Sequence, residues 1–195
     1  MVTASGKQIF PYGYQYHTGE SPSLYDIAQG LGRQPRFCGQ TLRFSTVLCH
    51  VLTCMEMASP KAKIHALLHD SAEAIVSDVC KTWKCDQHSA FEAQILADLY
   101  RHLGIEMRSG VDVADEVKRI DAACLAAEAH ALGHAQAERW WPRDQWGDLE
   151  VQAYGLTMDS LEAKEPLRYL EPHAAGQAFM EAFEDAVAAH ELVGT

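Results

Sequence analysis

The residues that could do chemistry are concentrated in one stretch, Leu67-Leu68-His69-Asp70-Ser71-Ala72-Glu73-Ala74. A histidine and an aspartate stand side by side in an apolar run from Ile64 to Ala74 that reads as helix. A carboxylate taken out of water costs several kcal/mol unless something pairs with it. A divalent metal is the natural partner, because imidazole nitrogen and carboxylate oxygen together suit Zn, Co, Mn, Ni or Fe, and carboxylate suits Mg. The plain alternative is an Asp70 that faces water and a His69 satisfied inside the core.

Two more residues turn the doublet into a set. His50 lies in Thr46-Val47-Leu48-Cys49-His50-Val51-Leu52, and Asp121 in Val117-Lys118-Arg119-Ile120-Asp121-Ala122-Ala123-Cys124-Leu125. Each is a polar residue in apolar company, on its own helix. Together with His69 and Asp70 they make a two-histidine, two-carboxylate metal site spread over three helices, with positions left for water and substrate. Adjacent helix positions diverge. An ion must therefore lie over the shared edge of His69 and Asp70, with His50 and Asp121 supplied from neighbouring helices.

Glu73 follows one turn later and points to the same region. A carboxylate beside a metal site that is not itself a ligand is suited to act as general base; otherwise it is a solvated helix residue. Asp78 follows near the helix end and could reach back over the site. Arg36 and Lys84 are the cations expected at a phosphate, one as a planar fork and one as a point charge, or else they serve solubility. Glu128, seven residues after Asp121, shares its helix face and could orient the site. His65 is expected to pack or to support the ligands from behind.

The elements that must position these residues are mostly helical. Ser23 begins a helix over 23–31, with apolar residues at 24, 27, 28 and 31. A loop over 34–44 carries Arg36. Ser45 is expected to cap a helix reaching Met57, and Pro60 to sit near the first turn of the helix bearing His69-Asp70. Further helices are expected over 89–103, stopped by Gly104, over 113–137, ended by Trp140-Trp141-Pro142, and over 173–192. Residues 142–172 read as irregular with one short helix. The aromatic start, 8–16, broken by Pro11 and Gly13, reads as an extended arm or short hairpin. The fold class expected is all-α, a helical bundle with an irregular or hairpin N-terminal arm.

The chain has 195 residues, which suits one domain over 1–195, and carries a formal charge of −11. Such a surface repels nucleic-acid backbones, so no polymer partner is expected. A small phosphorylated substrate is still compatible with it, because a metal and a few cations reverse the sign locally. No run approaches the ~20 apolar residues of a membrane span, and Met1-Val2-Thr3-Ala4-Ser5-Gly6-Lys7 has no signal pattern. No membrane partner and a cytoplasmic location are expected. The six cysteines form no Cys-x-x-Cys pair, which argues against a zinc ribbon.

The ordered set of His50, His69-Asp70 and Asp121, with its flanks, resembles the HD-domain phosphohydrolases, especially the small nucleotidases of bacteria and phages. The matching stretches are Tyr25-Asp26-Ile27-Ala28, Arg36-Phe37-Cys38-Gly39, Arg43 to His50, Leu67 to Ala74, Ser77-Asp78-Val79, Lys84, Val117 to Asp121, and Ala174 to Phe183. The resemblance implies an HD-type helical bundle and a homo-oligomer in the cytosol of a bacterium or a phage-infected host. It implies that His50, His69, Asp70 and Asp121 hold a divalent metal. Glu73 would activate or orient the attacking water, with Asp78 as a second acid near the scissile phosphate. Arg36 and Lys84 would hold phosphate oxygens.

Two relatives divide the chemistry. Bacterial 5′-deoxynucleotidases cleave deoxynucleoside monophosphates, and phage dATP triphosphohydrolases act on dATP. The opening Thr3 to Lys7 and the Arg36 loop look more like the second group, although Gln40 stands where many relatives have a histidine. Arg36, Arg43, Lys81 and Lys84 offer more positive charge than one phosphate needs. The expected substrate is therefore a deoxynucleoside triphosphate, dATP foremost, split to deoxynucleoside and tripolyphosphate. A 5′-deoxynucleotidase is the alternative. A nucleotide-binding sensor without turnover is a second, although a binder has no need of Glu73.

Overall fold

The computed structural model describes residues 2–7, 10–12, 15–17, 21–80, 83–107 and 111–193; the expectation for Lys81 lies outside them. The described chain is mostly helical, an all-α bundle as expected. The one exception beyond single bridges is a short antiparallel pair at the start, β1 (Phe10–Tyr12) and β2 (Gln15–His17), with Phe10 opposite His17.

Helix α1 (Leu24–Leu31) is fixed at its start by a reciprocal cap. The Ser23 hydroxyl accepts from the Asp26 amide at 3.2 Å, and the Asp26 carboxylate accepts from the Ser23 amide at 2.9 Å. Helix α2 (Val47–Met57) begins one residue later than expected, because Thr46 rather than Ser45 caps it, accepting from the Cys49 amide.

The single helix expected through His69-Asp70 is broken in two. Pro60 lies in a turn ahead of α3 (Lys63–Leu68), and α4 (Glu73–Val76) follows after a second turn over 69–72. There the chain tightens to i→i−3 bonding: Ser71 N–H to Leu68 O, Glu73 N–H to Asp70 O and Ala74 N–H to Ser71 O. His69 and Asp70 thus sit in a turn, not inside a helix. His69 keeps helical backbone angles (φ −59°, ψ −36°), and the two side chains come together with His69 Nε2 3.3 Å from Asp70 Oδ2.

Helix α5 (Asp86–Leu103) stops at Gly104, whose φ of 67° is left-handed. Helix α6 (Val111–Ala131) ends earlier than expected, since Gly133 at φ 73° turns the chain and leaves α7 (Ala137–Trp140) separate. Residues expected to be irregular contain a full helix, α8 (Asp148–Glu162), followed by α9 (Glu165–Arg168) and α10 (Pro172–Val193). Among the described residues, no helix is long and apolar enough to cross a membrane.

Two cores hold the bundle. The larger gathers Ile27 and Leu31 of α1, Leu48 and Val51 of α2, Ile64, Leu67 and Leu68 of α3, Leu99 of α5 and Phe179 of α10. The second is made mostly of small side chains: Cys54 of α2, Ala62 and Ala66, Cys124 and Ala127 of α6, and Ala153 of α8, with Ile120 of α6 the largest among them. Small residues let α2, α3, α6 and α8 approach closely, which brings the polar side chains between them within reach of each other. A third contact, Ala72 and Ile75 against Phe91 and Ile95, seats α4 on α5. On its other side α4 meets α1 backbone to backbone: a Cβ on Gly30 would lie 2.6 Å from both the Cβ and the carbonyl oxygen of Ala74.

Candidate metal centre and its acidic flank

Four donor atoms converge between α2, α6 and the turn after α3. His50 Nε2 lies 3.2 Å from Asp121 Oδ1 and 3.6 Å from Asp70 Oδ2. His69 Nε2 lies 3.3 Å from Asp70 Oδ2 and 3.9 Å from Asp121 Oδ1. Atoms that share one ion at about 2.0–2.2 Å stand roughly 3–3.6 Å apart, so this spacing is close to that of a ligand shell.

The far nitrogens of both rings are engaged, which fixes the near ones. His69 Nδ1 donates to the Ala66 carbonyl at 2.7 Å. A carbonyl only accepts, so neutral His69 turns its Nε2 lone pair toward the carboxylates. That nitrogen is buried and has no hydrogen-bond partner among the described residues. His50 Nδ1 lies 3.0 Å from Glu128 Oε1 and donates to it. A carbonyl or carboxylate behind each ligating imidazole is the usual support of a metal-binding histidine. Lone pairs facing carboxylates repel unless a cation stands between them, so the donor set fits a divalent ion. Without one, the imidazoles take protons instead. Burial lowers the affinity of both rings for a proton, and Arg36 adds to this at His50. Glu128 and Asp121 at His50, and Asp70 at His69, outweigh these effects and raise both pKa values. Burial raises Asp121 and Glu128, but their cationic partners prevail and hold both below the usual range.

Cys54, one turn after His50, is not among the residues expected at the site. His50, Cys54 and His69 form a group whose donor atoms lie within 4.8 Å of one another and which could hold a metal ion. The Cys54 thiol is 3.6 Å from His50 Nε2 and 4.0 Å from Nδ1. Such near-equal distances place the sulfur against the ring rather than ahead of the Nε2 lone pair. Burial, followed by the neighbouring Cys124, pushes this thiol well above its usual pKa.

Glu128 is the second surprise in its reach. Only 2% exposed, it also receives Arg36, whose Nε and Nη2 both lie 3.0 Å from Oε2. One buried carboxylate therefore ties a candidate ligand to a candidate phosphate-binding cation. Arg36 opens a 3-10 turn in which Phe37 (φ 53°), Cys38 (φ 53°) and Gly39 (φ 72°) are all left-handed. For the two non-glycine residues this costs on the order of 1–3 kcal/mol each. The third guanidinium nitrogen, Nη1, stands 3.7 Å from Asp78 Oδ2.

Glu73 begins α4, buried, with Oε2 lacking a hydrogen-bond partner among the described residues and Oε1 3.9 Å from Lys84 Nζ. Burial, then Asp70 and Asp78, push its pKa up to about 8 against the pull of Arg36 and Lys84. Asp78 is raised too, chiefly by burial. Between the two acids Ser77 adopts φ 71° and ψ 154°, a region that side chains other than glycine's rarely enter. Lys84 is bound at 2.8 Å by Glu92, which also meets His88 at 3.2 Å. Arg43, by contrast, is exposed, and its Nη1 lies 3.1 Å from Met158 Sδ on α8. His65 packs behind the site, its Nδ1 3.0 Å from the Tyr100 hydroxyl.

No protein-family model matches the chain. It is 26% identical over 188 residues to "Uncharacterized protein YfdR" of Escherichia coli (strain K12), a match covering 94% of this chain and 93% of that protein.

Proposed function

We propose that this chain is a metal-dependent phosphohydrolase of deoxynucleotides, the activity its resemblance to HD-domain enzymes implies. One observation carries the reading: each of the two Nε2 atoms lies 3.2–3.9 Å from an oxygen of both Asp70 and Asp121, with both imidazoles backed by acceptors. The carboxylates are preferred to Cys54 as partners of the two histidines, because they face the Nε2 lone pairs and the thiol does not.

A divalent ion (Zn, Co, Mn, Ni, Fe or Mg), which His50, His69, Asp70 and Asp121 would hold, would supply Lewis-acid chemistry at a phosphoryl oxygen and make water more acidic. Glu73 serves as base for the attacking water in its ionised form: its raised pKa of about 8 leaves it mostly protonated at neutral pH in the metal-free protein, and a cation held by the neighbouring Asp70 would favour the carboxylate. Arg36 Nη1 and Lys84 Nζ hold the phosphate oxygens as charge builds on them. Asp78 orients Arg36. Glu128 keeps Arg36 and His50 in register from behind.

The substrate expected first is dATP, cleaved to deoxyadenosine and tripolyphosphate. A second reading, a 5′-deoxynucleotidase, gains from the packing of Arg43 on Met158, which withdraws a cation from the count that favoured three phosphates. The test is chromatographic product identity with dATP and dAMP, across several divalent metals. Tripolyphosphate with deoxyadenosine supports the first reading. Turnover of dAMP with dATP intact supports the second. Nucleotide binding without turnover of either leaves a sensor.

A further inference from the structure

We infer that Gln34 is a positioning residue for the two acids on the flank of the site, Glu73 and Asp78, a role that rests on the function proposed above. Its side-chain amide spans the α4 segment from end to end. Nε2 donates to the Glu73 carbonyl, and Oε1 accepts from the Asp78 amide at 2.7 Å. Between these contacts lies Ser77, with its left-handed φ of 71°. The amide therefore closes a bracket around the one strained residue that separates the acids.

The same residue is anchored on its other side. The Gln34 carbonyl accepts from the Val47 amide at 3.0 Å, and the Arg36 amide donates to the Ser45 carbonyl at 3.0 Å. Pro35 and Thr46 form a single antiparallel bridge between these bonds. Residues 34–36 thus lie along the entry to α2, the helix that bears His50. Gln34 joins three parts of the site: the turn with Arg36, the start of the histidine helix, and the segment with both acids.

The chemistry requires an amide. A carbonyl and an N–H must be met at once, so one group must donate and accept. Glutamate offers no donor and turns a negative charge on the Glu73 carbonyl. Asparagine is one methylene short. Methionine keeps the length and makes neither bond. None of these substitutions touches His50, His69, Asp70 or Asp121.

The experiment compares wild type with Gln34→Met, Gln34→Asn and Gln34→Glu in the full chain. It measures bound metal, kcat and KM for the preferred deoxynucleotide, and hydrogen exchange at the Asp78 amide. Metal content should stay at the wild-type level. Turnover should fall roughly 10–100-fold in Gln34→Met, as for groups displaced by about 1 Å, with KM changed far less. Exchange at Asp78 should accelerate in Gln34→Met and less in Gln34→Glu, which keeps the acceptor. Wild-type kcat in Gln34→Met with full metal overturns the inference, as does unchanged exchange at Asp78. A wild type inert toward every nucleotide overturns the proposed function instead, and the exchange measurement then decides the bracket alone.

Discussion

His50 is the fourth residue of an eleven-residue helix and has no exposed surface, whereas Glu73 is the first residue of a four-residue helix with a turn before it and irregular chain after it. The donors of α2 and α6 are placed by two packed cores. The acids and cations of the flank are placed by individual bonds: Gln34 to Glu73 and Asp78, Glu128 to Arg36, Glu92 to Lys84. Packing spreads the task of holding a side chain over many contacts, and a bond concentrates it in one. The donor side should therefore fail when a ligand, or the carboxylate that backs one, is removed. The flank should fail in steps, each variant altering turnover while the ion stays bound.

The largest effect is expected on the donor side. Asp70→Ala should weaken metal binding on the order of 10²-fold or more, since even outer partners of a ligand are worth 10–100-fold, and turnover should vanish with the ion. Elemental analysis of the purified variant checks this, and full metal content would refute the ligand set. On the flank, Glu73→Gln keeps size but cannot take a proton. Turnover should fall roughly 10²–10⁴-fold, with metal content and substrate affinity retained. If metal content falls with turnover, the two regions are not independent.

Glu128→Gln probes the joint between them. The substituted amide would still accept from His50 but would take from Arg36 its hydrogen-bonded anion, leaving only the longer contact with Asp78 at 3.7 Å. Metal affinity should drop roughly 10–100-fold, and stability should fall by about 3–5 kcal/mol, the cost of breaking a buried pair. Calorimetry with and without metal separates the two losses.

The pH dependence follows from the raised pKa values of His50 and His69. In metal-free protein the protonated rings pair with the carboxylates. That stability is fully present below the ordinary histidine pKa of about 6.5 and is lost as pH rises through the folded values. Metal requires the same rings to be neutral, so its binding releases protons and weakens as pH falls. Metal should therefore raise the melting temperature most on the alkaline side, which thermal unfolding of metal-free and metal-loaded protein across pH checks. The smallest effect belongs to Arg43→Ala, within about 0.5 kcal/mol for an exposed side chain. A rise in KM for dATP but not for dAMP would return Arg43 to a role with further phosphates.

How much is legible in the sequence depends on which force places each residue. His50, His69, Asp70 and Asp121 stand out because they interrupt apolar runs, and the same apolar runs build the cores that gather them. Helices α1, α5 and α10 are readable from their period and their caps. The break after Leu68 is not, because the stretch from His69 to Ala72 contains neither glycine nor proline and its tight bonding follows from tertiary packing. Helix α8 is hidden for the opposite reason: it buries Ala153 and Thr157, small residues that leave no strong apolar stripe. Gln34 carries no periodic signal at all, since a side-chain bond to a segment about 40 residues away (39 to Glu73, 44 to Asp78) leaves no local trace. Cys54, at i+4 from His50 on one helix face, is open to detection, but its apolar company makes it read as a core thiol.

The contact of Gly30 with Ala74 sets a limit on travel within the bundle. Backbone lies against backbone there, with no side chain that could rotate away. The segment that starts at Glu73 has no space to recede toward α1, and Ala72 and Ile75 against Phe91 and Ile95 hold it on the side of α5. Gly30 works as a backstop: it sets how closely α1 and the segment bearing Glu73 can approach, and any side chain at that position would push the carboxylate's anchor away from α1.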